Sequence, residues 1–316
     1  MKWLDLINKS KKMRFYSSQI AANILPSAFY EKQLAKILSR INDYDRDYIL
    51  GRVDYCNQLA RLFRVDQGIQ IDDFNHKGNS AYVLDFKKAI RYFPKSLKLN
   101  YEFGDVVHVP EVPCFVKSRP INKENENAIL LKLDSVRHFN FVKDNVAFSD
   151  KKDMAVWRGA VFERPQRVRL LENYYHHPKC DFGDTDKRKK GTQYYKEYMS
   201  LSQQLEYKFI VSIQGTDVAT NTKWIMSSNS LCFMPKPKFE TWFMEGRLVP
   251  DHHYVELKDD YSDLEEKMAY YSKNTDKALA IIKNAHDYVA QFKNNEQEQL
   301  ISLLVMKKYF ELSEQM

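Results

Sequence analysis

A strand-like apolar run, YKFIVSI at 207–213, leads through Gln214 and Gly215 into the turn Thr216-Asp217-Val218-Ala219-Thr220-Asn221, and a helix with Lys223 in its first turn follows. In an open α/β sheet, ligands bind at the carboxyl ends of the strands. A helix N-terminus there presents unpaired N–H groups and partial positive charge, which suits a diphosphate, and Lys223 adds a full charge. The segment holds neither a Walker loop nor GxGxxG, so an ordinary strand-to-helix turn with a glycine fits it as well. A second cationic feature is Trp157-Arg158-Gly159 at the end of another strand-like run, with Arg164, Arg167 and Arg169 close behind. An arginine at such an edge pairs bidentately with phosphate or carboxylate. Alone, Arg158 reads equally as a surface ion pair; together the arginines point to an anionic ligand.

Two carboxylates have positions from which they can act. Asp105 stands where the run LNYEF meets Gly104, as a strand-end carboxylate able to take a proton from an attacking hydroxyl; a turn-capping aspartate is the simpler role. Glu245, closing FETWFMEG, is suited to accept hydrogen bonds from ribose hydroxyls, or is an exposed helix-end glutamate. Other constellations fail. HExxH and GxSxG are absent, and the pairs His176-His177 and His252-His253 are adjacent rather than at metal-ligand spacing. Asp184-Thr185-Asp186 is a literal DxD, the pattern by which some sugar-nucleotide enzymes hold a divalent metal, but it lies in a stretch that reads as a loop beside a Lys/Arg run.

These residues need elements to position them. Leu34, Ile37, Leu38 and Ile41 fall at helical spacing, and Ile49, Val53, Cys56, Ala60 and Phe63 continue it. Short β-type runs follow: AYVLDF, LNYEF, FVKS and AILLKL. MAVWRGAV reads as a strand, RPQRVRLLENYYHH as a helix and CDFGDTDKRKKG as a loop. The last third alternates strand and helix, with FETWFMEG as a short helix and Ser262 and Glu265 as a capping box. Such alternation argues for a parallel, doubly wound sheet.

The chain has 316 residues, 44% of them hydrophobic and 29% charged, with a net charge of +7. That is a soluble globular composition, long enough for two domains. No stretch approaches the roughly 20 apolar residues of a bilayer span. The N-terminus lacks a secretory h-region. Cys56, Cys114, Cys180 and Cys232 are widely spaced, as reduced cytosolic thiols are. The first fourteen residues set Lys2, Lys9, Lys11, Lys12 and Arg14 among Trp3, Leu4, Leu6 and Ile7, a pattern suited to an anionic bilayer surface or to a terminal helix docked on its own domain.

Four ordered segments together resemble glycosyltransferase family 90: the WRG strand end, YKFIVSIQGTDVATNTKWIMSSNSLCFMPKP, ETWFMEGRLVPDHHYVELKDDYSDL, and the upstream FGDVVHVPEVPCFVKSRPI. The resemblance covers about residues 98 to 310 and is strongest to the bacterial lipopolysaccharide A-type branch. It implies a GT-B-type α/β fold, two Rossmann-like lobes facing across a cleft, with 1–150 the acceptor-side lobe behind a helical start. Residues 151–316 then form the nucleotide-sugar lobe, with the final helix packing back. It implies a UDP-sugar donor, inverting displacement and no metal or other cofactor. By match to the family's motifs, Asp105 is the catalytic base, Arg158 a diphosphate ligand and Thr216 to Asn221 the donor loop. The eukaryotic branch has an arginine where Asn221 stands, which leaves open whether Lys223 supplies that charge.

The expected protein is therefore a cytoplasmic hexosyltransferase, peripheral on the inner membrane, moving glucose from UDP-glucose to a lipopolysaccharide core or related glycan. Gly159, Arg164, Arg167, Gly215 and Glu245 complete the expected donor site. A metal-dependent transferase using Asp184 and Asp186 is the alternative enzyme. A basic module binding polyanions is the non-enzymatic one, although no nucleic-acid-binding motif supports it.

Overall fold

A computed structural model describes Ser10, Met13, Ser17, residues 27–74 and residues 80–316. Apart from Ser10 and Met13, the basic segment 1–14 falls outside the described residues. The chain forms two compact units. One, here the N-terminal unit, comprises Lys11–Arg137, Lys238–Gly246 and Phe292–Met316; the central unit comprises His138–Pro237 and Arg247–Gln291. Residues 138–150 thus group with the central unit, and 238–246 and 292–316 with the N-terminal one. The contiguous halves 1–150 and 151–316 do not describe this interleaving.

The N-terminal unit opens with helices. α1 (Ser27–Ser39) buries Tyr30 and Leu34. α2 (Arg46–Cys56) is capped by Asp45, which accepts from the Tyr48 amide at 3.1 Å, and it buries Ile49, Val53 and Cys56 at helical spacing. It does not run on to Phe63: Asn57 turns out of the helix, and its side-chain amide donates to Val305 O at 3.0 Å. AYVLDF is helical rather than extended. It starts α3 (Ala81–Ile90), capped by Ser80, and Val83, Phe86 and Ile90 form its buried stripe. The six-residue run was too short to reveal a 3.6-residue period that KKAI completes.

Three short parallel strands follow, β1 (Tyr101–Glu102), β2 (Cys114–Val116) and β3 (Ala128–Leu130), in that spatial order. Just beyond β2, Ser118–Pro120 pairs antiparallel with Phe239–Thr241. FETWFMEG is therefore a strand and turn, not a helix. Its pairing is fixed by Glu240, which accepts from Arg119 Nε at 2.8 Å in the core. The C-terminal helix Asn295–Leu312 buries Leu300, Leu303, Val305, Met306, Tyr309 and Phe310 in this unit.

In the central unit a five-stranded parallel sheet is built from β4 (Lys152–Gly159), β5 (Cys180–Asp184), β6 (Tyr207–Val211), β7 (Leu231–Pro235) and β8 (Val255–Leu257). The spatial order is β5-β4-β6-β7-β8, all pairs parallel. CDFGD, read as a loop from its glycine and aspartates, is the edge strand β5. Among the helices that accompany the sheet are α4 (Pro165–Tyr174), α5 (Thr222–Met226), α6 (Leu264–Lys273) and α7 (Thr275–Ala290). The capping box expected at Ser262 does not form; Asp263 holds the N-cap position and its carboxylate accepts from the Lys258 amide. The protein is thus mixed α/β, and no helix among its described residues is long and apolar enough to cross a membrane.

Candidate functional site

Numbered within the central sheet, the strand order is 2-1-3-4-5, so the direction of winding reverses between β4 and β6. Ligands of doubly wound sheets bind at the carboxyl ends of the strands flanking that switch. Here those ends are Gly159 and the Ile213–Gly215 stretch. α4 joins them: Arg167 donates to Ala160 O at 2.5 Å and Ile213 O at 3.4 Å, and Gln166 donates to Gln214 O at 3.2 Å and Gly215 O at 3.1 Å. A side chain at Gly215 would put its Cβ 3.3 Å from Arg167 Nη2, a tight contact from which the guanidinium would have to shift by a few tenths of an ångström.

Arg167 is a largely buried cation that feels Asp184 only at a distance. Its bonds go to carbonyls, and among the described residues neither it nor Arg164 forms an ion pair with a carboxylate. The Nε atoms of both are buried with no hydrogen-bond partner among the described residues, as are the Tyr261 hydroxyl and the Nε of Arg158. Burial, and then the like charge of Arg164, push the Arg167 guanidinium down to about 10. Buried polar groups without partners are rare, and each needs an explanation such as a ligand.

Arg158 is differently placed. Its Nη2 pairs with Asp181 Oδ1 at 2.6 Å and its Nη1 donates to the Asp181 and Trp157 carbonyls. Lys196 and Tyr207 also bond the Asp181 carboxylate, at 2.8 Å each. Burial works against the Asp181 charge, but the Lys196 and Arg158 contacts outweigh it and hold the acid down at about 2. Of the expected arginines, then, Arg158 is already neutralised, while Arg164 and Arg167 are not. Gly159 admits the ring of Trp157, which a Cβ would approach to 2.8 Å.

The loop from Gly215 to Asn221 is stapled to its own strand. Asn221 donates to Val211 O at 3.1 Å and accepts from the Ser212 hydroxyl, which is also 2.7 Å from the Thr222 hydroxyl. Asp217, Val218 and Ala219 are buried, Thr216 is half-buried and Thr220 exposed. Lys223 is wholly buried in α5, with its ammonium 5.8 Å from the Phe139 ring centroid. With only five residues, α5 is a short source of the helix-end charge expected there.

The profile of glycosyl transferase family 90 matches residues 132–314. The chain belongs to glycosyltransferase family 90. It is also 46% identical over 316 residues, 99% of each chain, to the O-glucosyltransferase LpsA of Dichelobacter nodosus. This family-90 protein is accordingly a glycosyltransferase.

Two expected carboxylates of this enzyme lie in its N-terminal unit. Asp105 follows Gly104, whose φ of 115° turns the chain. The Asp105 carboxylate, 43% exposed, receives Lys117 Nζ at 2.6 Å. Lys117 itself is 2% exposed, and its ammonium lies 5.6 Å from the ring centroid of Tyr82 on α3. Neither partner is legible in sequence: AYVLDF reads as a strand, and Lys117 lies twelve residues on, between two paired segments. Glu245 is not an exposed helix end. It is buried and accepts from the Thr241 amide at 2.6 Å and the Thr241 hydroxyl at 3.0 Å, closing a turn in which Met244 has φ 56°.

The family-90 enzyme uses its DxD carboxylates locally. Contrary to the loop reading, Asp184 ends a strand, and its Oδ1 accepts from the Val161 amide at 3.2 Å and the Asp186 amide at 2.9 Å. Asp186 pairs with Arg188 at 2.6 Å. All four cysteines are buried free thiols.

Proposed function

We propose that this enzyme is an inverting, metal-independent, UDP-sugar-dependent hexosyltransferase. Glucose is the sugar we assign to it, by analogy with its O-glucosyltransferase relative. The acceptor is a hydroxyl of a lipopolysaccharide core or related surface glycan, reached by a cytoplasmic enzyme that rests on an anionic membrane surface. The reading requires a GT-B-type organisation, with donor-holding residues in the central unit and the proton acceptor in the N-terminal one.

The observation that carries it is the Arg164–Arg167 pair at the switch point, cationic and without a carboxylate among the described residues. A UDP leaving group gains negative charge as the glycosidic bond breaks. Cations already in place stabilise that charge more in the transition state than in the ground state. They perform the charge compensation that a divalent metal performs in other transferases. Arg158 supports the switch-point strands through Asp181 rather than meeting the diphosphate first. Asp105 takes the proton of the attacking hydroxyl, a contribution of about 10²–10⁴-fold. With one such carboxylate and a single displacement, the anomeric centre inverts.

The test is UDP release by the purified enzyme with UDP-glucose, UDP-galactose, UDP-xylose and UDP-N-acetylglucosamine, with and without EDTA. Turnover or hydrolysis that survives EDTA and prefers one sugar is expected. Loss of activity in EDTA, restored by a divalent cation, would move the charge compensation to Asp184 and Asp186. Failure to bind any uridine nucleotide would remove the donor assignment altogether.

A further inference from the structure

The turn that links β4 to α4 is built against its own sequence. Arg164 N donates to Val161 O at 3.1 Å, closing a four-residue turn whose central residues, Phe162 and Glu163, both have positive φ, at 48° and 57°. Two consecutive left-handed residues are the signature of a type I′ turn, where Asn and Gly are favoured because a side chain costs about 1–2 kcal/mol per residue in that region. The chain places a phenylalanine and a glutamate there instead. Contacts flank the turn on both sides. Asp184 holds the Val161 amide, Lys189 approaches Glu163 at 3.7 Å, and the Arg188 guanidinium lies 5.6 Å from the Phe162 ring centroid. Val161 is buried, and α4 begins at Pro165.

All of this presents a ring to solvent. Phe162 is 54% exposed, at the carboxyl end of β4 and two residues before Arg164. Strain of this kind persists where the surroundings over-determine it, and it runs from an observed outlier to a hypothesis of function. A turn optimised for stability alone would carry glycine at 162. What a phenylalanine adds is a flat apolar face with a negative quadrupole. The apolar face of a pyranose, lined with slightly positive C–H bonds, is complementary to it.

We infer that Phe162 is a stacking platform for a pyranose ring, set beside the anion-binding arginines. The inference rests on the transferase reading above and adds to it a sugar subsite. The sugar comes either from the donor or from the acceptor, and the two sources separate by experiment.

Phe162→Ala and Phe162→Gly are compared with the wild-type enzyme. Titrations with UDP and UDP-glucose read the donor arm; ligand-observed NMR with methyl α-D-glucopyranoside in the presence of UDP reads the acceptor arm. UDP affinity is expected to be unchanged in both variants. A loss of about tenfold in UDP-glucose affinity, the scale of one aromatic contact, assigns the platform to the donor sugar. A similar loss confined to the methyl glucoside assigns it to the acceptor. Phe162→Gly should also melt no lower than wild type, because glycine relaxes the turn. Unchanged affinity in both arms overturns the inference while leaving the transferase reading intact. If wild-type enzyme binds no UDP, it is that reading which fails.

Discussion

Replacing Arg167 with methionine should raise the stability of the free enzyme and remove its response to UDP. The displacement of the Arg167 guanidinium from 12.5 to about 10 corresponds to roughly 3 kcal/mol against the charged form. Against that, the substitution leaves the carbonyls of Ala160 and Ile213 without this donor, at about 1 kcal/mol each. The methionine stem keeps the volume of the arginine stem near the Trp157 ring, whose centroid is 5.9 Å from the guanidinium carbon. The balance is a gain of about 1 kcal/mol, or about one to two degrees in Tm. UDP at a hundred times its Kd should stabilise the wild-type protein by about 2.7 kcal/mol and the variant by almost nothing. Thermal melts followed by tryptophan fluorescence, with and without UDP, measure both quantities. A variant that loses more than 2 kcal/mol when free, and still shifts fully with UDP, would refute the assignment of Arg167 as a ligand-seeking cation.

Other expectations follow from single contacts. Asp105→Asn should lower kcat by about 10²–10⁴-fold with UDP affinity unchanged, and equal losses in both would make the residue structural. Burial pushes the Asp85 carboxyl up to about 7, against the opposing bonds from the Ser135 amide and hydroxyl. Its native pKa lies above its unfolded one, so stability should fall as pH rises from about 4 to 7 by up to about 4 kcal/mol, and Asp85→Asn should flatten that slope in urea melts at pH 4.5 and 8. Gly246→Ala would bring a methyl to 2.7 Å from Glu240 Oε2 and 2.8 Å from the Tyr55 hydroxyl. A loss of about 1–3 kcal/mol is expected in denaturant melts, and an unchanged midpoint would mean the turn has room to relax.

The parts of the fold legible in sequence are those whose signal is local. β6 and β7 are buried along nearly their whole length and read as near-continuous apolar runs, which is why YKFIVSI and SLCFMP read as strands. β5 hid because an edge strand tolerates the Asp and Gly residues that elsewhere mark a loop. Phe239–Thr241 hid because its partner lies some 120 residues earlier. Site residues divide in the same way. An arginine cluster is visible as composition, but which arginine is neutralised depends on Asp181, 23 residues from Arg158 and contributed by a neighbouring strand. Lys117 beside Asp105 depends on the path between β2 and the segment after it, which no motif records.

The return of Phe292–Met316 to the N-terminal unit has a consequence for biosynthesis. Arg52, wholly buried, finds its carboxylate in Glu298, which also accepts from Trp242 Nε1 and Lys132. A ribosome delivers Arg52 first, Trp242 much later and Glu298 later still. Until then the nascent unit carries a guanidinium that cannot be buried favourably, so its core stays open while the central sheet already has every strand it needs. Vectorial synthesis should therefore complete the middle of the chain before its beginning, and chaperones that guard unfinished domains should engage the first unit longest.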